Sequence, residues 1–231
     1  MGLYLLFIIP PLLFMLYAQW RVSSAYGKYS KVANMAGLTG IQAAQRLLEH
    51  NGLSNVQVEL SKAKLSDHYD PRQRVLRLSP EVAHKPSVAA LGIVAHEVGH
   101  AVQHARLYAP LMARNAIFPA ANLGSNLGFI LVLAGLLLYA FGAAFGITVT
   151  WVGIGLFAAA VVFTLITLPV ELNASARARA MLKSTGLVSV QEFDGASAVL
   201  SAAALTYVAA LLQAVAQLLY FVMLALGMGR R

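Results

Sequence analysis

The chain has 231 residues, of which 59% are hydrophobic and 11% are charged, and it contains no cysteine. Because a soluble domain carries about a quarter charged residues, this balance indicates a membrane protein, and the lack of cysteine excludes disulfides, thiolate metal sites and cysteine nucleophiles. The net charge of +8 is not gathered into a basic patch interleaved with aromatic residues, so we expect no nucleic-acid partner.

Four apolar segments are expected to cross a bilayer. The first, at about 3–17, lacks the basic start and the small-residue cleavage site of a secretory signal, which predicts an uncleaved anchor. The second and third, at about 123–145 and 147–169, contain no charge and are separated by only a few residues, which predicts a tight antiparallel hairpin. The fourth covers about 198–228.

The polar region between the first two spans has the pattern of a small α+β unit. Apolar residues recur at helical spacing between Thr39, a favourable N-cap, and Gly52, a favourable helix stop. Apolar and polar residues alternate over 56–60, as in a strand, and a second strand is predicted at 74–78. Between the strands, the segment 66–71 has turn-forming chemistry.

A helix is predicted to begin near Pro86 or Ser87 and to carry His96-Glu97-Val98-Gly99-His100. Residues four apart share a helix face, so His96 and His100 can bind one metal ion together, with Glu97 beside them. Zinc lowers the pKa of its bound water toward neutrality, and a carboxylate base completes the activation for attack on a peptide carbonyl. The alternative is a pair of histidines held by ordinary hydrogen bonds without a metal.

A catalytic zinc ion usually has three protein ligands, so the third must come from elsewhere. His104 lies eight residues after His96, about 12 Å along a continuous helix, which is too far to share the ion. Glu171 is favoured because a lone carboxylate beside a long apolar segment is costly unless it is hydrated or coordinated. It could also simply mark the membrane edge. Three upstream histidines remain alternatives as ligands: His50, His68 and His84.

The basic residues predict the side of the membrane on which these groups lie. Residues 1–20 contain no Lys or Arg, whereas 21–120 are rich in both, so we expect the polar region to be cytoplasmic. Two crossings later, the segment 170–197 returns to the same side, which brings Glu171 to the side of His96 and His100.

Three motifs together resemble the bacterial YugP-type family of neutral zinc metallopeptidases: VAHEVGHAVQ at 94–103, SDHYDPR at 66–72 and PVELNAS at 169–175. The resemblance covers almost the whole chain. More distantly, the arrangement is similar to the HtpX and CAAX-protease membrane metallopeptidases. The resemblance implies that His96, His100 and Glu171 hold zinc and that Glu97 is the catalytic base.

The resemblance also implies roles for residues around the metal. The distant relatives have an acidic residue where this chain has Ser175, so Ser175, Asn173 or Asp67 is expected to orient a ligand histidine. Substrate is expected to bind as an added strand along 74–79. Three residues are candidates for the transition-state donor: Tyr207, His68 and Arg177.

We therefore predict a mainly α membrane protein with four transmembrane helices and a small α+β cytoplasmic gluzincin-like zinc peptidase unit. The predicted segments are an anchor at 1–20, a cytoplasmic part with the His-Glu-x-x-His helix at 21–122, a transmembrane hairpin at 123–169, a cytoplasmic segment with the third ligand at 170–197 and a final transmembrane helix at 198–231. The expected partners are one zinc ion per chain, a peptide or membrane-protein substrate, and the bilayer of the bacterial inner membrane. The alternative is a catalytically silent zinc-binding scaffold or chaperone-like subunit.

Overall fold

The computed structural model describes residues 2–62 and 66–228, so residue 1 and residues 229–231, at the ends of the first and last predicted segments, lie outside it. The chain is mostly helical in these ranges. Its elements are α1 (Gly2–Tyr29), α2 (Gly40–His50), β1 (Gln57–Leu60), β2 (His68–Asp70), β3 (Val75–Leu78), α3 (Pro80–His84), α4 (Val88–Ala105), α5 (Ala109–Ala140), α6 (Gly146–Ser184) and α7 (Val190–Met228).

The chain divides into two compact units. The first, which we call the span unit, comprises Met1–Tyr17, Met112–Pro169 and Tyr207–Arg231. The second, which we call the site unit, comprises Ala18–Leu111 and Val170–Thr206.

Within the described residues, α1, α5, α6 and α7 are long and apolar enough to cross a membrane, which confirms the four predicted spans. No more than 22% of the most apolar window of any of them is buried inside the protein. Such a continuous apolar surface is too large for contact with water and fits a lipid environment. Each helix is longer than its predicted span: α1 and α6 continue beyond its end, whereas α5 and α7 begin well before its start.

The span unit contains the predicted hairpin of α5 and α6, which turns at 141–145. Glycines bring the two backbones together: a Cβ added at Gly128 would lie 2.8 Å from the carbonyl oxygen of Gly153. Small residues at such a crossing allow the close van der Waals packing that holds helices together in lipid. Phe157 packs edge-to-face on Phe221 of α7, with ring centroids 5.4 Å apart.

The site unit contains the helix expected after Thr39, which is α2. The Thr39 side chain accepts a hydrogen bond from the Gln42 backbone N–H, and the Gln42 side chain accepts one from the Thr39 N–H, which forms a capping box. The predicted start of the motif helix is also confirmed, since the Ser87 side chain accepts a hydrogen bond from the Ala90 N–H at the first turn of α4.

The three strands form one sheet in the order β1-β3-β2, with β1 parallel and β2 antiparallel to β3. The prediction of a turn over 66–71 is wrong in its position, because the middle of that segment forms β2. Asp70 does have turn chemistry, but its carboxylate accepts hydrogen bonds from the Arg72 and Gln73 N–H groups and so caps the turn that follows β2. Tyr69 pairs with Leu76 of β3, so the residues that precede this turn form a strand.

The expectation that 74–79 is a free sheet edge is also wrong. β3 lies in the centre of the sheet and is paired on both sides, so its backbone groups are already satisfied. The free edges belong to β1 and β2.

The core of the site unit joins α2, the sheet and α4 to the second half of α6. Its largest wholly buried side chains include Leu47 of α2, Leu76 of β3, Leu91 of α4 and Leu182 of α6. α6 passes Pro169 without a break, so the predicted third-ligand segment begins as a helix. The helix places residues from Val170 onward against α4 in this core.

Candidate metal centre

Three of the predicted site residues meet between α4 and α6. The Nε2 atoms of His96 and His100 lie 3.1 Å and 3.4 Å from Oε2 of Glu171. Among the described residues this is the group of His, Asp or Glu side chains whose ligand atoms could hold a metal, all within 4.8 Å of one another. Ligands bound at about 2 Å to one tetrahedral zinc ion lie about 3.3 Å apart, so the donors and their spacing fit zinc.

Gly99, inside the motif, sets the distance between the two helices. A Cβ added to Gly99 would lie 2.7 Å from the carbonyl oxygen of Ala174 on α6, closer than real side chains approach. The absence of a side chain therefore allows α6 to lie directly on α4. This contact is one turn from Glu171 and brings its carboxylate to the two imidazoles.

Gln103 orients His100. The Gln103 side chain is wholly buried, and its Nε2 donates to the Val170 carbonyl oxygen at 2.8 Å and to Asn173 Oδ1 at 3.0 Å. Because both amide hydrogens have acceptors, Oε1 faces Nδ1 of His100, which lies 3.0 Å away. Oε1 can only accept, so Nδ1 carries the proton. The neutral ring then presents the lone pair of Nε2 to the site, as a metal ligand must.

Ser175 has the corresponding position for His96. Its Oγ lies 3.1 Å from Nδ1 of His96, while Nε2 of the same ring faces Glu171. The Ser175 hydroxyl is therefore a hydrogen-bond partner of a predicted ligand histidine. Asn173 contacts the ring of His100 only through Gln103 and also accepts a hydrogen bond from Nε of Arg177 at 2.7 Å.

Glu97 lies beside the ligand cluster without joining it. Its Oε2 accepts a hydrogen bond from the backbone N–H of Tyr69 at 3.0 Å, which connects α4 to β2. Burial raises the pKa of Glu97 to about 7 in the metal-free protein, against the opposing effect of a charged His96. A partly buried carboxyl group beside the ligand cluster is placed for general acid–base chemistry.

The other four histidines of the chain have different neighbours. His104, one turn beyond His100, lies with Nδ1 2.9 Å from the Tyr69 hydroxyl. His68 is exposed on β2, and its Nδ1 lies 2.7 Å from the carbonyl oxygen of Ser66. The remaining two histidines also lie outside the ligand group: His50 at the end of α2 and His84 at the end of α3.

The remaining predicted residues lie as follows. Asp67 accepts hydrogen bonds from the N–H and hydroxyl of Ser79 and so ties the chain before β2 to the end of β3. Arg177 lies over the ring of Tyr108 in addition to its bond to Asn173. Tyr207 belongs to the span unit, so its role stays a prediction.

Sequence reasoning missed two residues at this centre, Gln103 and Tyr69. Gln103 stands seven residues after His96, on the same face of a buried helix, and a glutamine in an otherwise apolar stretch signals an internal hydrogen bond. Tyr69 acts through its backbone N–H, for which the sequence has no signal.

The geometry agrees with the relationships of the chain to known proteins. A family model described as "Putative neutral zinc metallopeptidase" matches residues 4–226. Over 211 residues, which are 91% of each chain, the sequence is 47% identical to "Putative membrane protease YugP" of Bacillus subtilis (strain 168). No solved structure matches the chain. The resemblance seen in the three motifs is thereby confirmed, and the chain belongs to the family described as "Putative neutral zinc metallopeptidase".

Proposed function

We propose that this protein is a membrane-embedded zinc endopeptidase whose site lies at the cytoplasmic membrane surface. The observation that carries the proposal is the convergence of His96, His100 and Glu171, with the partly buried Glu97 beside them. Membership of a zinc metallopeptidase family and the likeness to a named membrane protease support it. In fold terms, the site unit is then a gluzincin-like peptidase unit, with two helix histidines and a downstream glutamate.

In this proposal His96, His100 and Glu171 hold one zinc ion per chain. When bound, zinc supplies an acidified water and polarises the carbonyl of the bond to be cut. Glu97 removes one proton from the attacking water and later delivers it to the leaving amine, so that the carboxylate is regenerated. The Tyr69 N–H positions Glu97 before the reaction.

The substrate is proposed to be a peptide or a segment of a membrane protein that adds to the free edge of β2. β3, the originally expected edge, is already paired on both sides. β2 is the better edge because its Tyr69 N–H reaches Glu97, so an added strand would lie beside the catalytic base. The lipid bilayer is the second proposed partner, and we propose no nucleic-acid partner.

The hydrogen-bond donor to the transition state is proposed to be Tyr207 or His68. Arg177 is the weaker candidate, because its Nε already donates to Asn173. Tyr207→Phe and His68→Ala separate the two: the variant that loses the donor keeps its zinc and KM but loses on the order of a hundredfold or more in kcat.

The proposed location is the bacterial inner membrane, with the site unit in the cytoplasm. The basic residues of 21–120 and 170–197 support this orientation. A cysteine introduced at the exposed Arg72 tests it, since the native chain has no cysteine. Labelling of that cysteine in intact cells by a membrane-impermeant maleimide would contradict the cytoplasmic placement.

The deciding experiment measures zinc content and peptide cleavage for purified wild type, Glu97→Gln and Glu171→Ala. We expect Glu97→Gln to keep its zinc and lose cleavage, and Glu171→Ala to lose both. Normal cleavage by Glu97→Gln would refute the mechanism, and full zinc occupancy in Glu171→Ala would refute the ligand assignment. A wild type that holds zinc but cleaves nothing in a broad peptide library would favour the silent scaffold instead.

A further inference from the structure

A cavity of about 300 Å³ lies in the site unit next to the metal centre. Its polar lining consists of Asn55, Tyr69, Arg74 and His104, and no Asp or Glu is among the described residues that line it. A cavity that combines a guanidinium with other hydrogen-bond donors, and lacks a carboxylate of its own, is suited to an anionic group.

Tyr69 and His104 form a donor pair within this cavity. The Tyr69 hydroxyl lies 2.9 Å from Nδ1 of His104, and the two rings are in contact, with centroids 5.8 Å apart. Whichever of the two donates that bond, the pair retains one further hydrogen, on the phenol or on Nε2 of the imidazole. Burial raises the pKa of Tyr69; the positive charge of Arg74 opposes this rise, and the carboxylate of Asp70 adds to it.

Two residues that border the cavity have unfavourable backbone conformations. Arg74 (φ 55°) and Leu107 (φ 51°) are the non-glycine residues with positive φ in the described ranges, and both line this cavity. Arg74 closes the turn between β2 and β3, and Leu107 follows the end of α4, which are positions where glycine is usual. Such conformations are sparsely populated by residues other than glycine, and they cluster at active and binding sites.

The cavity is a neighbour of the scissile-bond position. Its lining includes Ala101, which follows the ligand His100, and His104, which lies about 6 Å further along α4. Tyr69 belongs to both places, since its backbone N–H contacts Glu97 and its ring lines the cavity. The cavity and the metal centre are therefore adjacent along α4 and share Tyr69.

We propose that this cavity is a carboxylate-binding subsite, which selects substrates with an acidic side chain or a free C-terminal carboxylate close to the scissile bond. The inference rests on the proposed peptidase function. Arg74 is its main specificity determinant, and the Tyr69–His104 pair supplies a further hydrogen bond.

The test uses zinc-loaded protein and matched peptides that carry Glu, Gln or Lys at each position around the cleaved bond, with either a C-terminal acid or a C-terminal amide. We expect one position, or the terminal acid, to raise kcat/KM on the order of ten- to a hundredfold over the neutral counterpart, as a charge-assisted hydrogen bond allows. A preference for Glu identifies a side-chain pocket, whereas a preference for the acid over the amide identifies a C-terminus pocket.

Arg74→Gln should abolish this preference, and Arg74→Glu should reverse it toward Lys. Arg72→Glu is the matched control, because Arg72 is exposed on the same turn but does not line the cavity. Equal rates for Glu, Gln and Lys at every position, and for acid and amide, would overturn the subsite while leaving the peptidase proposal intact.

If zinc-loaded wild type cleaves nothing, the peptidase proposal fails, and binding decides the subsite separately. The probes are fluorescein-labelled peptides that end either in Glu-Glu with a free C-terminal acid or in Gln-Gln with a C-terminal amide, and their binding is followed by fluorescence anisotropy. Tighter binding of the Glu-Glu peptide that is lost in Arg74→Gln but kept in Arg72→Glu would support the carboxylate site, and equal binding of both peptides would overturn it.

Discussion

Substitution of Gln103 tests whether an inner hydrogen-bond network sets the zinc affinity of His100. Gln103→Leu keeps most of the volume of this wholly buried side chain but removes all three of its hydrogen bonds, to His100, Val170 and Asn173. Each buried group left without a partner costs about 1–3 kcal/mol, so with partial relaxation we expect a loss of roughly 2–4 kcal/mol in the free energy of unfolding. Loss of the group that orients a ligand histidine typically lowers metal affinity about 10- to 100-fold.

Gln103→Glu separates the two effects. The carboxylate still accepts from Nδ1–H of His100, but it faces the oxygen atoms of Val170 and Asn173 without a hydrogen to donate. We therefore expect Gln103→Glu to lose stability like Gln103→Leu but to keep zinc affinity close to that of wild type.

The assay is zinc competition with a chromogenic chelator in detergent, combined with thermal unfolding of the metal-free protein. Gln45→Leu, a substitution of an exposed glutamine on α2, is the control and should change neither quantity. If Gln103→Leu and Gln103→Glu lower the zinc affinity equally, the bond from Nδ1 of His100 to Gln103 does not set the ligand geometry.

Two further substitutions probe how α4 meets α6. Gly99→Ala should lower both zinc affinity and thermal stability, because the new methyl group would lie 2.7 Å from the Ala174 carbonyl oxygen. Gly155→Ala is the control: no atom lies within 4 Å of a Cβ added there, so it should be neutral or stabilising in the same thermal unfolding. Wild-type zinc binding by Gly99→Ala would show that the helices need not approach so closely. Ser175→Ala should weaken zinc binding about tenfold or more, measured by the same chelator competition, because His96 loses the partner of its Nδ1. An unchanged affinity would mean that water serves His96 equally well.

The sequence by itself determined the features that depend on neighbours in the chain. Hydrophobic length identifies the four spans, side-chain capping identifies the starts of α2 and α4, and the spacing of four residues puts His96 and His100 on one face. These interactions act within one or two helical turns, so they are readable without a fold. The number of membrane crossings predicts that Glu171 lies on the same side as His96 and His100. That number depends on the whole chain, but it can be read from hydropathy.

Only the tertiary structure decided the groups that meet across elements. Residues 68–70 form β2 because pairing with β3 satisfies their backbone, and this non-local pairing outweighs the local turn chemistry of the segment 66–71. The same pairing puts β3 in the centre of the sheet and the Tyr69 N–H beside Glu97. Gln103 of α4 reaches Val170 and Asn173 of α6 only when the two helices touch at Gly99. A hydrogen bond between distant segments depends on how those segments pack, and no local sequence pattern encodes how closely they approach.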